Sequence, residues 1–377
     1  MSETTEPQPL GPQITLFDHA LRLHRQSPDA PLAREGEPYP DEDPHRRRTG
    51  PRTPEDPRSQ GADVAAVLDA HFAGDAPPSE LADAFHDVHV PIQHNEHIAA
   101  AALRADRQRV QRTGRWLVRH GTDRCSVIVG LALLAADWAE EDTELIRTIG
   151  LLSNRFGPLA AKALRRRGGG EALLWLAQRV AGWGRVYVVE ELCGWGLSDA
   201  ARAWLLRHSC DGHFLNGYFA GKVATAAHLH EAIIGPDVDD ALVDHTSRLL
   251  GSMADCAGMG LTLAGYPPAR AVLEAHAGHL ARQSPTVGRY VSAAVLADRL
   301  ASNPPERAGC TSGQRDRLVR HYLAVLDSEQ WCRTARADLD RDDDFHAWVA
   351  ADVAARLRLR AFTGGRREPH PPSDHGP

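Results

Sequence analysis

Histidine is the residue type through which this sequence could most directly do chemistry. There are 20 in 377 residues, and four crowd into HDVHVPIQHNEH: His86, His89, His94 and His97. A spacing of i, i+3 places two imidazoles on one face of a helix, and a zinc ion needs three or four such ligands. Pro91 separates the two pairs, and no thiolate or HExxH frame accompanies them. They therefore read as surface or capping side chains, with a helical metalloenzyme using residues 86–97 as an alternative. In HLHE, His228 and His230 are two apart and point away from each other on a helix. His276 and His279 repeat the i, i+3 pattern without further ligands. No metal and no cofactor is expected.

Other reactive patterns fail on spacing. GYFAGKVAT, residues 217–225, has three residues between its glycines where a phosphate-binding loop has four, and Val223 stands where Ser or Thr would hold magnesium. Its small residues Gly217, Gly221 and Thr225 instead share one helix face, the pattern of close helix packing. Glu140-Glu141, Glu190-Glu191 and the run Asp342, Asp343, Asp344 are adjacent acids. Paired-acid catalysis needs carboxylates that converge in a cleft. There is no Gly-x-Ser-x-Gly elbow, and no Cys–His pair is supported by local context. No catalytic residue is assigned.

What remains is recognition chemistry. Trp175, Trp183, Tyr187, Trp195 and Trp204 lie among Arg147, Arg155, Arg179, Arg185, Arg202 and Arg207. These residue types dominate interface hot spots, and they also stack bases and clamp phosphates. The expected partner-binding set is Arg155, Arg179, Trp183, Arg185 and Tyr187, with Asn216 and Tyr218. Burial of two or more of these arginines and aromatics in self-contacts would remove that assignment.

The elements that must carry these residues repeat. DTELIRTIGLLS, GEALLWLAQRVA and SDAARAWLLRHS align with Leu145, Leu173 and Ala201 in one column and Ile149, Ala177 and Leu205 in another, 28 residues apart each time. Partner helices are expected at 157–167, 184–195 and 215–233. A period of 20 to 50 residues with two helices per period signals stacked hairpins. With Gly157-Pro158 opening one helix, residues 125–233 resemble the HEAT-like, armadillo-like α-solenoid class. That resemblance implies an all-α fold and a concave surface for protein or peptide binding, and it transfers no catalytic residue.

Ahead of the repeats, helices are expected over ADVAAVLDAHFAG, SELADAFHDVHV and residues 95–119, and an all-round buried helix over 125–140. Residues 1–60, rich in proline and charge, read as a disordered arm with one helical island at 14–26, where Ile14, Phe17 and Leu21 recur at i, i+3, i+7. Residues 61–234 form the repeat region, 235–362 a helical cap or bundle, and 363–377 a disordered tail. The expected cap helices cover 238–257, 268–284, 286–302, 312–327 and 345–362.

Charge narrows the partner class. Residues 1–100 hold 18 acidic side chains against 8 basic ones, while 101–215 hold 17 basic against 12 acidic. The mildly basic repeats suit acidic protein segments, or the chain's own acidic arm, better than a dedicated nucleic-acid surface, which carries a stronger bias. The longest apolar run, 127–136, is too short to span a bilayer. No basic-then-apolar leader opens the chain, and its six cysteines lack any CxxC pair, so reduced thiols and a cytoplasmic setting are expected. The reading is a protein-binding scaffold without catalysis; the alternative is a helical-repeat DNA-glycosylase-like enzyme with an acid such as Glu190 or Asp211 in a positive concave face.

Overall fold

In a computed structural model, residues 14–48, 59–85, 88–194 and 196–363 are described. Every regular element among them is helical. The chain divides into two compact units, residues 1–202 and 203–377.

The first unit begins with α1 (Leu16–Gln26) and α2 (Glu42–Arg48), then α3 (Ala62–Ala73), α4 (Glu96–Arg104), α5 (Arg107–His120), α6 (Arg124–Ala135), α7 (Thr143–Ile149), α8 (Ser153–Arg166), α9 (Gly170–Ala177) and α10 (Gly182–Cys193). Short polar side chains start many of these helices by binding orphan N–H groups. Thr15 accepts from Asp18 N at 3.0 Å, and Asn95 from His97 N at 3.0 Å. Asp106 accepts from Arg109 N at 2.9 Å, which divides the single helix expected over 95–119. Over 79–90 the expected helix is only the 3-10 turn Pro78–Leu81, although Leu81, Phe85 and Val90 are buried.

The helices pair as α5 with α6, α7 with α8 and α9 with α10. α8 also packs on both α6 and α10, and α7 on both α5 and α9, so alternate helices form two layers. Of the second repeat column, Ile149 and Ala177 are fully buried in this unit, and Leu205 is fully buried in the second. α6 is apolar nearly all round and almost wholly buried, as its composition predicts. Arg167 closes the far end of the stack, donating to Leu134 O at 3.0 Å and Ala163 O at 2.9 Å. It thereby satisfies last-turn carbonyls of α6 and α8.

α11 (Asp199–His208) runs across the division. The second unit continues with α12 (Ala220–Ala226), α13 (Leu229–Ile234), α14 (Asp240–Asp255), α15 (Ala269–Leu280), α16 (Val287–Ser302), α17 (Ser312–Leu326), α18 (Glu329–Asp338), α19 (Asp344–Trp348), a π-helical turn Val349–Val353 and α20 (Ala354–Leu357). Here too hairpins stack: α14 with α15, α16 with α17, then α14 on α16 and α15 on α17. The division falls at 202/203 rather than at the Gly235-Pro236 linker, because α12 and α13 pack on α14 and α15. The single helix expected over 215–233 breaks at His228, which takes a left-handed conformation at φ 55. Gly217 and Gly221 bring that chain against Cys256 and Leu261, so the would-be phosphate loop is a close packing contact. α18 has no expected counterpart: its EQWCRTARAD sequence is mostly polar, yet Trp331, Cys332 and Ala335 are buried.

The largest departure is the N-terminal arm. The helix expected over 14–26 is α1, with Leu16 and Ala20 buried, and the departure lies after it: residues 27–48 are described, with Leu32, Tyr39 and Asp41 buried. The face of α1 that packs inward is Leu16, His19 and Ala20, not the expected Ile14, Phe17 and Leu21; Ile14 remains 46% exposed. Residues 1–13, 49–58 and 364–377, on which the rest of the arm and tail were read, lie outside the described residues.

Candidate functional site

The arm lies across the starts of three stacked helices. Prolines at 28, 31, 38 and 40 keep residues 27–41 largely out of α-helix, and its acids are spaced so that successive ones meet successive helices. Glu35 Oε1 accepts from Gly184 N in the first turn of α10 at 3.3 Å. Glu37 Oε1 accepts from Asn154 Nδ2 in the first turn of α8 at 3.3 Å. Asp41 Oδ2 accepts from Arg124 N, the first residue of α6, at 2.8 Å. A helix N-terminus carries partial positive charge and unsatisfied N–H groups, so each carboxylate lies where the field favours it.

Side chains lock this arrangement at both ends. At the upstream end, Leu16 N donates to Gly121 O at 3.0 Å, and Arg119 covers Phe17 at 4.2 Å while pairing with Asp18 at 3.2 Å. His19 Nε2 donates to Gly36 O at 2.9 Å. Arg179 donates to Pro28 O at 2.7 Å and Asp29 at 2.9 Å. It stacks on Trp175 at 4.6 Å, and Arg147 lies over the same ring at 4.4 Å.

At the downstream end, Arg124 and Asp41 are 5% and 2% exposed, so their ion pair is shut off from water. The fork is two-pronged: Nε and Nη2 donate to Asp41 Oδ1 at 3.1 and 2.9 Å. Nη2 also reaches Glu42 at 2.8 Å, and this contact holds the Glu42 carboxyl below the usual carboxylate range. Tyr39 packs beneath, edge-on to Phe156 at 6.0 Å and under the Arg124 guanidinium at 5.0 Å. Burial, then Glu37, pushes its phenol pKa upward.

The same corner gathers ligand-type side chains. Asp123 caps α6, accepting from Cys125 N at 2.8 Å and Ser126 N at 3.3 Å. His45 Nδ1 of α2 lies 3.9 Å from Cys125 Sγ. One donor atom from each of His45, Asp123 and Cys125 lies within 4.8 Å of the others, and this is the one group of three such side chains among the described residues. Nothing local announces it, because 80 positions separate His45 from Cys125. The one available signal is Asp123-x-Cys125 opening an almost wholly buried helix. The histidines of 86–97 make no such group: His89 meets Gln60 at 2.8 Å, His94 meets Glu96 at 3.2 Å, and His86 lies outside the described residues. His276 bonds Tyr322 at 2.8 Å and His279 bonds Ile233 O at 2.9 Å, so that pair is also divided.

The expected binding set is redistributed. Arg185 is buried and donates to Val180 O at 2.9 Å. Asn216 is buried and donates to Asp211 at 3.0 Å. Arg179 holds the arm. With Arg185 and Asn216 buried and Arg179 spent on the arm, the seven do not form a single exposed surface; all five in the first unit belong to helices or turns that seat or flank the arm. Arg155 is exposed beside it, acting electrostatically on Tyr39 and His45. Trp183, 37% exposed, stacks on Tyr187 at 5.9 Å and follows Gly182, against which Glu35 lies. Tyr187 also lines a pocket of about 260 Å³ with His94, Pro158, Lys162, Glu190 and Glu191. Tyr218, in the second unit, is half-buried. Trp195 lies outside the described residues. The acids invoked for DNA chemistry are placed differently: Glu190 borders the pocket beside Glu191, and Asp211 holds its own turn through His213 N at 3.0 Å and Asn216.

No described helix is long and apolar enough to cross a membrane. No family model, no curated protein and no solved structure matches this chain.

Proposed function

We propose that this chain is a non-enzymatic, HEAT-like helical-repeat scaffold that binds extended acidic segments of other proteins along the starts of α6, α8 and α10. The observation that carries the reading is the chain's own residues 28–45, held there by carboxylates at 35, 37 and 41 and a buried tyrosine at 39. A surface that seats one such segment has the donors and helix ends to seat another of like chemistry. Arg155 and Trp183, both exposed, with the half-buried Tyr187 on which Trp183 stacks, border that seat and are of the residue types that anchor interfaces. The two-layer pairing of α5 to α10 supports the repeat class.

The test is a fluorescent peptide of residues 28–45 added to full-length protein carrying Glu35→Gln and Asp41→Asn, which weaken the resident segment. Saturable binding that weakens with salt, and that is lost on Arg124→Ala, is expected. Failure to bind, with the resident segment shown to be open by protease sensitivity, refutes the reading.

A further inference from the structure

We propose that His45, Asp123 and Cys125 form a binding site for a zinc-type divalent cation that ties α2 to the start of α6. The inference is independent of the scaffold reading, since it concerns this chain's own ligands and no partner.

The donor set is one that zinc accepts: an imidazole nitrogen, a thiolate sulfur and a carboxylate oxygen. With zinc–ligand bonds of about 2.0–2.3 Å, tetrahedral donors lie about 3.5 Å apart. The Nδ1–Sγ separation of 3.9 Å is within a few tenths of that, and all three donors fall inside 4.8 Å. Two of the ligands are fixed before any ion arrives, because Asp123 and Cys125 are the cap and second residue of a buried helix. The third comes from α2, which Asp41 and Glu42 anchor through Arg124. His45 is half-buried, so a water molecule can complete the shell from outside.

The surrounding charge favours a cation. Asp41, Glu42 and Asp123 place three carboxylates around the corner, against the guanidinium of Arg124 and the more remote one of Arg155. On binding, the sulfur–metal bond forms as the thiol proton leaves to solvent. The competing account is a plain thiol–imidazole hydrogen bond in a cluster that binds nothing.

Cobalt(II) distinguishes them. Full-length protein made without a polyhistidine tag and stripped with chelator is titrated with cobalt. One equivalent is expected to give a near-ultraviolet sulfur-to-cobalt charge-transfer band and the strong visible bands of four-coordinate cobalt, both erased by added zinc. Cys125→Ala is expected to remove the charge-transfer band. His45→Ala, at a half-exposed position that leaves the α6 core intact, is expected to weaken affinity by on the order of tenfold or more. Circular dichroism of both variants checks the fold. Absence of the charge-transfer band in the unaltered protein overturns the proposal whatever the variants do. Its persistence in Cys125→Ala, or unchanged affinity in His45→Ala, also overturns it.

Discussion

Asp41→Ala is the sharpest perturbation of the seat that holds the arm. It deletes one partner of an ion pair whose members are 5% and 2% exposed. Arg124 would keep Glu42, but lose both prongs to Asp41, and its backbone N–H would lose its acceptor. Breaking a buried pair from one side costs about 3–5 kcal/mol, because the remaining charge stays out of water. The arm is a local segment, so the protein has a cheaper response than global unfolding: residues 32–42 lift off and Arg124 is rehydrated. Hydrogen exchange of the amides in 32–42 reads that opening directly. At about 1.4 kcal/mol per tenfold, a loss of 3 kcal/mol raises exchange there by about two orders of magnitude. Amides of α8 and α10 further from the arm should change little. Replacing both partners, Asp41→Leu with Arg124→Met, should restore much of the protection, since an apolar pair leaves no orphaned charge. Exchange in 32–42 within about threefold of the parent protein after Asp41→Ala would refute the claim that this ion pair holds the arm.

Other outcomes follow from single contacts. Burial pushes the His276 pKa from the ordinary 6.5 down to about 3, so the folded state binds fewer protons than the unfolded state between those values. Stability is therefore intact above pH 6.5 and lost as pH falls below it. The loss is about 1.4 kcal/mol per pH unit, or on the order of 3 kcal/mol by pH 4.5. Urea midpoints against pH should show this acid limb, and His276→Gln should flatten it. Gly184→Ala would thrust a methyl into Ser153 Oγ where α10 meets α8. A loss of about 1–3 kcal/mol in thermal unfolding is expected, relieved by a second change, Ser153→Gly. Trp183→Ala, at a partly exposed stack, should change stability by less than about 1 kcal/mol while weakening binding of the 28–45 peptide by about tenfold; equal losses in both would show the ring to be structural only.

Much of the fold is legible residue by residue. Ile149, Ala177 and Leu205 are apolar residues of three separate helices, legible in the sequence as core positions, and all three are buried. The segment GRVYVVEEL looks strand-like by its branched residues but forms α10, since its neighbours are helices and no strand exists for it to pair with among the described residues. α18 escaped notice because a largely polar helix becomes stable only when Trp331 and Ala335 find a core to enter. The site was less legible. The aromatic and arginine residues are visible in the sequence, but Arg185 inside the fold and Arg155 outside it look alike there.

Composition and helical periodicity thus determined the all-α class and the mildly basic stretch 101–215 that follows an acidic N-terminal region. Those are local properties: each rests on side chains within a few turns of one another. Tertiary structure alone decided that residues 27–48 lie against the helices, that Glu35, Glu37 and Asp41 meet three separate helix starts, and that His45 lies beside Asp123 and Cys125. An extended, proline-rich segment buries too little against itself to order alone, so its conformation depends on helix ends more than 80 residues away in sequence. The physical reason is that helix-end charge and buried ion pairs act through space, and only folding brings the partners within range.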